Sequence, residues 1–373
     1  MSSEKVVIKP IIKKNPFIKT PDEVAELFGL PTSIRSQIKI LAALFGQEVK
    51  VSDRSLDNLS GKGVSEQKAD EALAPMLTLL DQLNLNLDNF IPIGTSTDDL
   101  KALWRAAIKS FTAGFESAGQ DTSFLQPLIA FIERRCTEYE AQREWGSNHR
   151  GVDEQKLLTL IAEFYRPVID KTALNSEQQN IVIQLLERLS LEQNIQANQD
   201  EIEAMGLFTQ DFNLSLFAAV DLVALNWKHR HQEGIKQHNS FLFKILASDG
   251  KCYFGKLMSF IKEDTGVSFR TLAQYVPIQQ ESTETGRTVL EVQVERLKEW
   301  RKGKTKPSFA TLEKFCSNFA FEDQLLLFIY CLICQAIDRL LVKYKTDEQR
   351  MLKEIYSADN YLTYYLREKE TAA

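Results

Sequence analysis

Between Arg296 and Lys306 the chain sets six basic side chains, Arg296, Lys298, Arg301, Lys302, Lys304 and Lys306, against one acid, Glu299. Cations at that density on a helix end and the following turn can neutralise several phosphates, and each phosphate contact steepens the salt dependence of binding. Arg296 or Arg301 could also pair with a guanine edge from a helix lying in a major groove. The same run is compatible with a solvated face paired to Glu295, Glu299 and Glu313, or with a protein-binding surface.

Other chemistry-bearing residues are poorly placed for catalysis. His229, His231 and His238 are close in sequence, but on a helix 229 and 231 lie about 200° apart, so they do not converge on one metal ion. Cys331 and Cys334 have the redox or zinc spacing, yet they sit inside an apolar run with no second pair and no histidine nearby. Buried structural thiols are expected there. Gly61, Lys62 and Gly63 lack the rest of a phosphate loop, and no G-x-S-x-G, H-E-x-x-H or G-x-G-x-x-G occurs. Asp200, Glu201 and Glu203 suit a helix start, where carboxylates favour the macrodipole. No cofactor and no metal is therefore expected, and an enzyme is not the favoured class. A carboxylate nuclease or toxin effector stays as an alternative because such sites leave weak sequence traces.

The elements around the basic run give it a context. A helix carrying Leu297 and Trp300 should end at Gly303, which can take the left-handed conformation, and Pro307 should precede a helix with Leu312, Phe315 and Phe319 on its apolar face. Trp300, Gly303, Lys304, Lys306, Pro307, Ser308 and Leu312 together resemble the second half of the lambda-repressor/Cro (XRE-like) helix-turn-helix. Upstream, Gly266 to Tyr275 is similar to the first motif helix, with Leu272 and Ala273 as its Leu-Ala pair. The resemblance covers about residues 266–320, one-sixth of the chain. The family joins its two motif helices by a turn of a few residues, whereas Val276 to Val289 intervenes here. The resemblance implies duplex DNA as partner, a bacterial or phage-related origin, a dimer, and DNA contact by Arg270, Arg296, Lys298, Arg301, Lys302, Lys304 and Lys306.

The rest of the sequence says chiefly that the chain is helical. It has 373 residues, with 16 glycines and 10 prolines, about 7% together against an average near 12%. That shortage disfavours a fold with many tight turns. The net charge of −6 excludes a protein that coats nucleic acid or anionic membrane over its whole surface but permits a local basic patch. Five cysteines fit a reducing cytoplasm better than a disulfide scaffold. The N-terminus has no apolar h-region, so no signal peptide is expected. Leu325–Ile337, the longest uncharged apolar run, is too short for a bilayer and is expected to be a buried helix and a possible dimer element.

The predicted architecture is an all-α multi-helix bundle or irregular helical array. An extended basic arm (1–20) precedes an N-terminal helical domain (21–145), a middle helical domain (151–248) and a C-terminal helical domain (249–373) with a divergent helix-turn-helix. Thr20 should cap a helix with Pro21 at its first position and Gly29 at its end; 46–65 reads as loop. Helices are expected at about 32–45, 66–83, 98–118, 124–139, 157–168, 176–193, 199–206, 214–231 and 234–247. Residues 145–153 interrupt the pattern. Alternation of Leu290, Val292 and Val294 allows a short strand or hairpin at 288–294. The tyrosines at 344, 356, 361, 364 and 365 suit core or dimer contacts. Function is expected to be sequence-specific or structural DNA binding, such as transcriptional regulation, with a regulatory or oligomerising helical region. The alternative is a protein-protein interaction or scaffold protein with a degenerate helix-turn-helix.

Overall fold

The computed structural model describes residues 18–30, 49–59, 62–72, 121–149, 160–191, 196–229, 240–278, 287–319, 324–344 and 346–372, with isolated positions at 33, 35, 38, 39, 74, 100, 101, 104, 105, 107–109, 112 and 156. The fold is all-α: among the described residues every regular element is a helix. Two compact units divide the chain, one holding 1–15 and 19–122, the other 16–18 and 123–373. The division thus falls between Thr122 and Ser123, not at 145–151 or 248–249, and the expected middle and C-terminal domains belong to one unit.

In the first unit, α1 (Pro21–Phe28) starts at Thr20, whose hydroxyl accepts from the Glu23 amide while the Glu23 carboxylate accepts from the Thr20 amide. Two orphan donors are satisfied reciprocally. Gly29 closes the helix at φ 69°. The interval read as loop contains a helix, α2 (Asp53–Leu59). Its apolar pair, Leu56 and Leu59, is too short a signal to stand out among polar neighbours, yet both side chains are fully buried with Ile38, Val64, Ala69 and Ala72. The described positions of the 98–118 stripe are helical; Leu100 and Trp104 are buried, and the Trp104 indole donates to the Lys19 carbonyl at 2.7 Å. Residues 1–17 of the arm, most of 32–45, and 73–83 apart from Ala74 lie outside the described residues.

The second unit opens with a 3-10 turn (Ser123–Leu125) leading into α3 (Gln126–Asn148), followed by α4 (Ile161–Ile169), α5 (Ser176–Leu191) and α6 (Gln199–His229). Helix α3 runs through the first four residues, 145–148, of the interruption expected at 145–153, and 150–153 lie outside the described residues. The two helices expected at 199–206 and 214–231 are one. Residues 206–219 of α6 are buried on nearly every side, so the segment lacks the polar stripe by which a surface helix announces its continuity. Around α6 pack α3, α5, α12 (Gln324–Val342), α13 (Thr346–Ile355) and α14 (Ala358–Ala372). By length and hydropathy α6 and α12 could each cross a membrane, but most of each apolar window is buried against other helices. That is how core helices are made.

Two polar clusters fix the helices around α6. The carboxylate of Asp221 accepts from Ser240, from Tyr330 on α12 at 2.6 Å and from Tyr361 on α14 at 2.8 Å. Burial pushes this carboxyl above its ordinary range. Nearer the other end, Arg135 on α3 pairs with Glu138 and Asp211, while Arg367 on α14 reaches Asp211, Ser215 and Glu368. Arg134 adds a third cation, bonded to Glu368 at 2.6 Å. Three arginines thus balance three carboxylates in the interior. Replacing Asp221 with Ala leaves three buried hydroxyls without their acceptor and should cost roughly 2–5 kcal/mol of unfolding free energy. Asp221→Asn keeps an acceptor and sheds the charge, so it should cost less. Urea unfolding midpoints of the two variants check that order.

Candidate nucleic-acid interface

The segment resembling a helix-turn-helix lies among α8 (Tyr253–Thr265), α9 (Phe269–Ala273), α10 (Val289–Arg301) and α11 (Phe309–Asn318), packed on α12. The strand or hairpin considered for 288–294 is the start of α10. Thr288 and Glu291 form a capping box, and the 3.6-residue period that carries Leu297 and Trp300 into the core outweighs the two-residue alternation of Leu290, Val292 and Val294. Gly303 takes φ 69° and ends the turn. Ser268 and Ser308 cap α9 and α11 through their hydroxyls, accepting from Thr271 and Thr311. Leu272, Ala273, Val276, Leu297, Trp300, Leu312, Phe315 and Phe319 are buried. The Trp300 ring meets Phe254 and Phe315 edge-on at 6.1 and 6.0 Å.

Helix α10 ends against the start of α8. The Cys252 thiol, N-cap of α8, lies 3.5 Å from the carbonyl oxygens of Trp300 and Arg301. A Cβ at Gly255 would sit 2.5 Å from the Arg301 carbonyl oxygen, so this approach requires glycine. The α8 N-terminus is in turn capped from α12: Asp338 accepts from the Tyr253 and Phe254 amides at 2.9 and 3.0 Å. Burial pushes the Asp338 carboxyl up, against the pull of these two amides. Cys252 is raised to about 11, chiefly by burial and then by Asp338, which makes it an inert thiol at neutral pH.

The seven predicted DNA-contact residues divide into two groups. Lys302 and Lys304 are exposed on the turn after α10, with no ion pair among the described residues. Lys298 is exposed and pairs with Glu295 at 3.2 Å. Arg270 is exposed on α9 and, with Arg287, Leu290, Glu291, Val294 and Glu295, lines an open groove of about 570 Å³. The other three are committed to the fold. Arg296 donates to the Pro277 carbonyl at 3.1 Å. Arg301 lays its guanidinium on the Phe269 ring, 3.1 Å from the centroid, and burial lowers its pKa. Lys306 donates to the Asp338 carbonyl at 3.0 Å, satisfying a carbonyl near the end of α12.

Sequence inspection missed Gln293, Phe269 and Asp338. Only Asp338 left a signal, as a lone carboxylate inside an apolar helix. Cys331 and Cys334 are buried free thiols, as expected. Among the described residues no cluster of His, Cys, Asp or Glu could hold a metal ion; His231 and His238 lie outside them. No protein-family model, curated protein or solved structure matches the chain.

The Asp338 cap carries a pH signature. Its folded pKa stands above the ordinary 3.8, so the proton-linked stability it contributes is full below that value and is lost as pH rises through the folded pKa. Asp338→Asn removes this linkage. The stability advantage of wild type over the variant should therefore shrink as pH rises from 3.8 towards neutrality. Melting curves across that range test it, and an advantage that grows with pH would sink it.

Proposed function

We propose that the chain is a DNA-binding protein of regulatory type that docks duplex DNA through the face formed by α9, α10 and the turn after α10. The observation that carries this is the pair Lys302 and Lys304, exposed and without an ion pair among the described residues, where a helix ends and a second begins. Lys298 and Arg270 extend the same cationic character. Unpaired exposed ammonium groups gain from phosphate contact by releasing condensed counterions, and steering by such a patch does not require a positive protein. Two copies joined through α12, whose Leu325 and Val342 are exposed, would present two such faces to two half-sites.

A second function is favoured by one specific observation. The first half of α10 bears Val289, 51% exposed, and Leu290 and Val294, which line the groove beside Glu291 and Glu295. An apolar strip rimmed by mixed charge is the make-up of a protein-binding surface, which supports a scaffold role for the same helices.

The two are separated by measuring duplex affinity at two salt concentrations. Wild type should lose affinity as salt rises, with a log-log slope of about −2 to −3 for two or three phosphates. Lys302→Glu/Lys304→Glu should bind at least about tenfold more weakly at low salt and with a shallower slope. Salt-independent wild-type binding, or a double variant that binds as wild type does, removes DNA as the partner.

A further inference from the structure

A helix-turn-helix needs a fixed angle between its two helices, and a turn of a few residues ordinarily supplies it. Here thirteen residues separate Tyr275 from Val289, and a connection of that length does not by itself fix the angle between two helices. Yet α9 and α10 pack against each other. Three side chains of α10 make contacts that a short turn would make unnecessary. Gln293, near the middle of the helix, donates through Nε2 to the carbonyls of Gln274 and Val276 at 3.0 and 2.9 Å. One residue-turn later Arg296 donates to the Pro277 carbonyl at 3.1 Å. At the C-terminal end Arg301 stacks on Phe269, the first residue of α9.

We infer that Gln293, Arg296 and Arg301 form a side-chain clamp that sets the orientation of α10 on α9 in place of a short turn, so that the two arginines are positioning residues and not phosphate contacts. The carbonyls of residues 274, 276 and 277 lie in the turn just past the end of α9, whose own last carbonyls, those of Thr271, Leu272 and Ala273, accept from the amides of Gln274, Tyr275 and Val276. Satisfying them from one face of α10 binds the end of the first helix to the side of the second at fixed rotation. The guanidinium plane on the Phe269 ring fixes the other end. Two points of attachment along α10, about two turns apart, define a direction as well as a contact. The clamp also explains why the basic run is dense: Arg296 and Arg301 serve the α9 side, whereas Lys302 and Lys304 serve solvent.

The functional consequence rests on the duplex docking proposed for the same face; the clamp itself does not, and the experiment reads them separately. Amide hydrogen exchange of the free protein reports the clamp. Gln293→Leu/Arg296→Gln and Phe269→Leu are each expected to raise exchange at residues 272–276 at least about tenfold, and unchanged exchange in both overturns the clamp. Duplex affinity against salt then separates positioning from phosphate contact. Arg301→Gln, and Phe269→Leu, which alters no charge, should each weaken binding several-fold with the wild-type salt slope retained. Lys302→Gln and Lys304→Gln should each flatten the slope by about one. If Arg301→Gln flattens the slope as Lys302→Gln does while Phe269→Leu binds as wild type, Arg301 is a phosphate contact and its positioning role falls. A wild type without salt-dependent duplex binding overturns the functional consequence, leaving the exchange data to decide the clamp. Arg301→Lys keeps the charge and loses the planar stack, so its failure to rescue affinity supports positioning and full rescue opposes it.

Discussion

The placement of α10 depends on one buried carboxylate. Asp338 lies on α12, inside the core of the larger unit, and accepts from the first two amides of α8. Burying a charge costs several kcal/mol unless it is compensated. Here the two amides and the positive end of the α8 dipole face it. With α8 held in this way, its N-terminal residues Cys252 and Gly255 form the surface on which the last turn of α10 lies. Lys306 then returns to the Asp338 carbonyl and ties the following turn to the same helix. The chain of dependence therefore runs from a core helix, through a carboxylate, to the exposed face. Moving Asp338 would move α8, α10 and the lysine turn together.

The other two polar clusters do comparable work around α6. A helix buried on most of its circumference has few features to select its rotation, because apolar contacts are non-directional. Asp221 supplies direction by demanding hydroxyls from α12, α14 and Ser240 at once. Ser240 transmits it further, since its hydroxyl also caps α7 (Phe241–Ala247) by accepting from Phe243. Arg135 and Asp211 make the same demand between α3, α6 and α14. Such networks need every member satisfied, and this one leaves buried atoms of Arg134, Arg135, Glu138 and Glu368 without a hydrogen bond, although Arg134 and Glu138 still face each other as an ion pair at 3.7 Å, so it orders the helices at some expense in stability.

How much of this was legible in the sequence follows from where the information resides. Some local signals were readable: Thr20 with Pro21, Gly29 and Gly303 mark helix ends by short-range chemistry, whereas the Thr288 and Ser308 caps were not read as such. The all-α class followed from scarce glycine and proline together with the apolar periods. The 31-residue α6 was divided in two because a buried helix has no polar stripe, and α2 was lost because two leucines cannot establish a period. Long-range pairings were invisible. Nothing near Asp338 in sequence names Tyr253 as its partner, and nothing about Arg296 or Arg301 distinguishes a cation facing phosphate from one facing a carbonyl or a phenyl ring. Residue type gave the charge of the candidate site; only the fold gave its direction.

That distinction changes what the basic run can do. Six cations over eleven residues would predict a steep electrostatic attachment, but three of them bond within the module, Lys306 while still exposed, and a fourth pairs with Glu295. Two lysines without an ion pair among the described residues, with Arg270 at the groove, support far fewer released counterions than the sequence suggests. Glu291 and Glu295 on the outward side of α10 further oppose close approach of a phosphate backbone. An interface of this kind would draw less from charge than the sequence suggests, and would draw its selectivity from shape and from the apolar strip of Val289, Leu290 and Val294. In the proposed dimer a second copy would add no new contact to either face, yet it would make the second docking event intramolecular and so multiply a weak attachment. For a chain whose net charge is −6, that is a physically sufficient route to binding a polyanion without a basic surface.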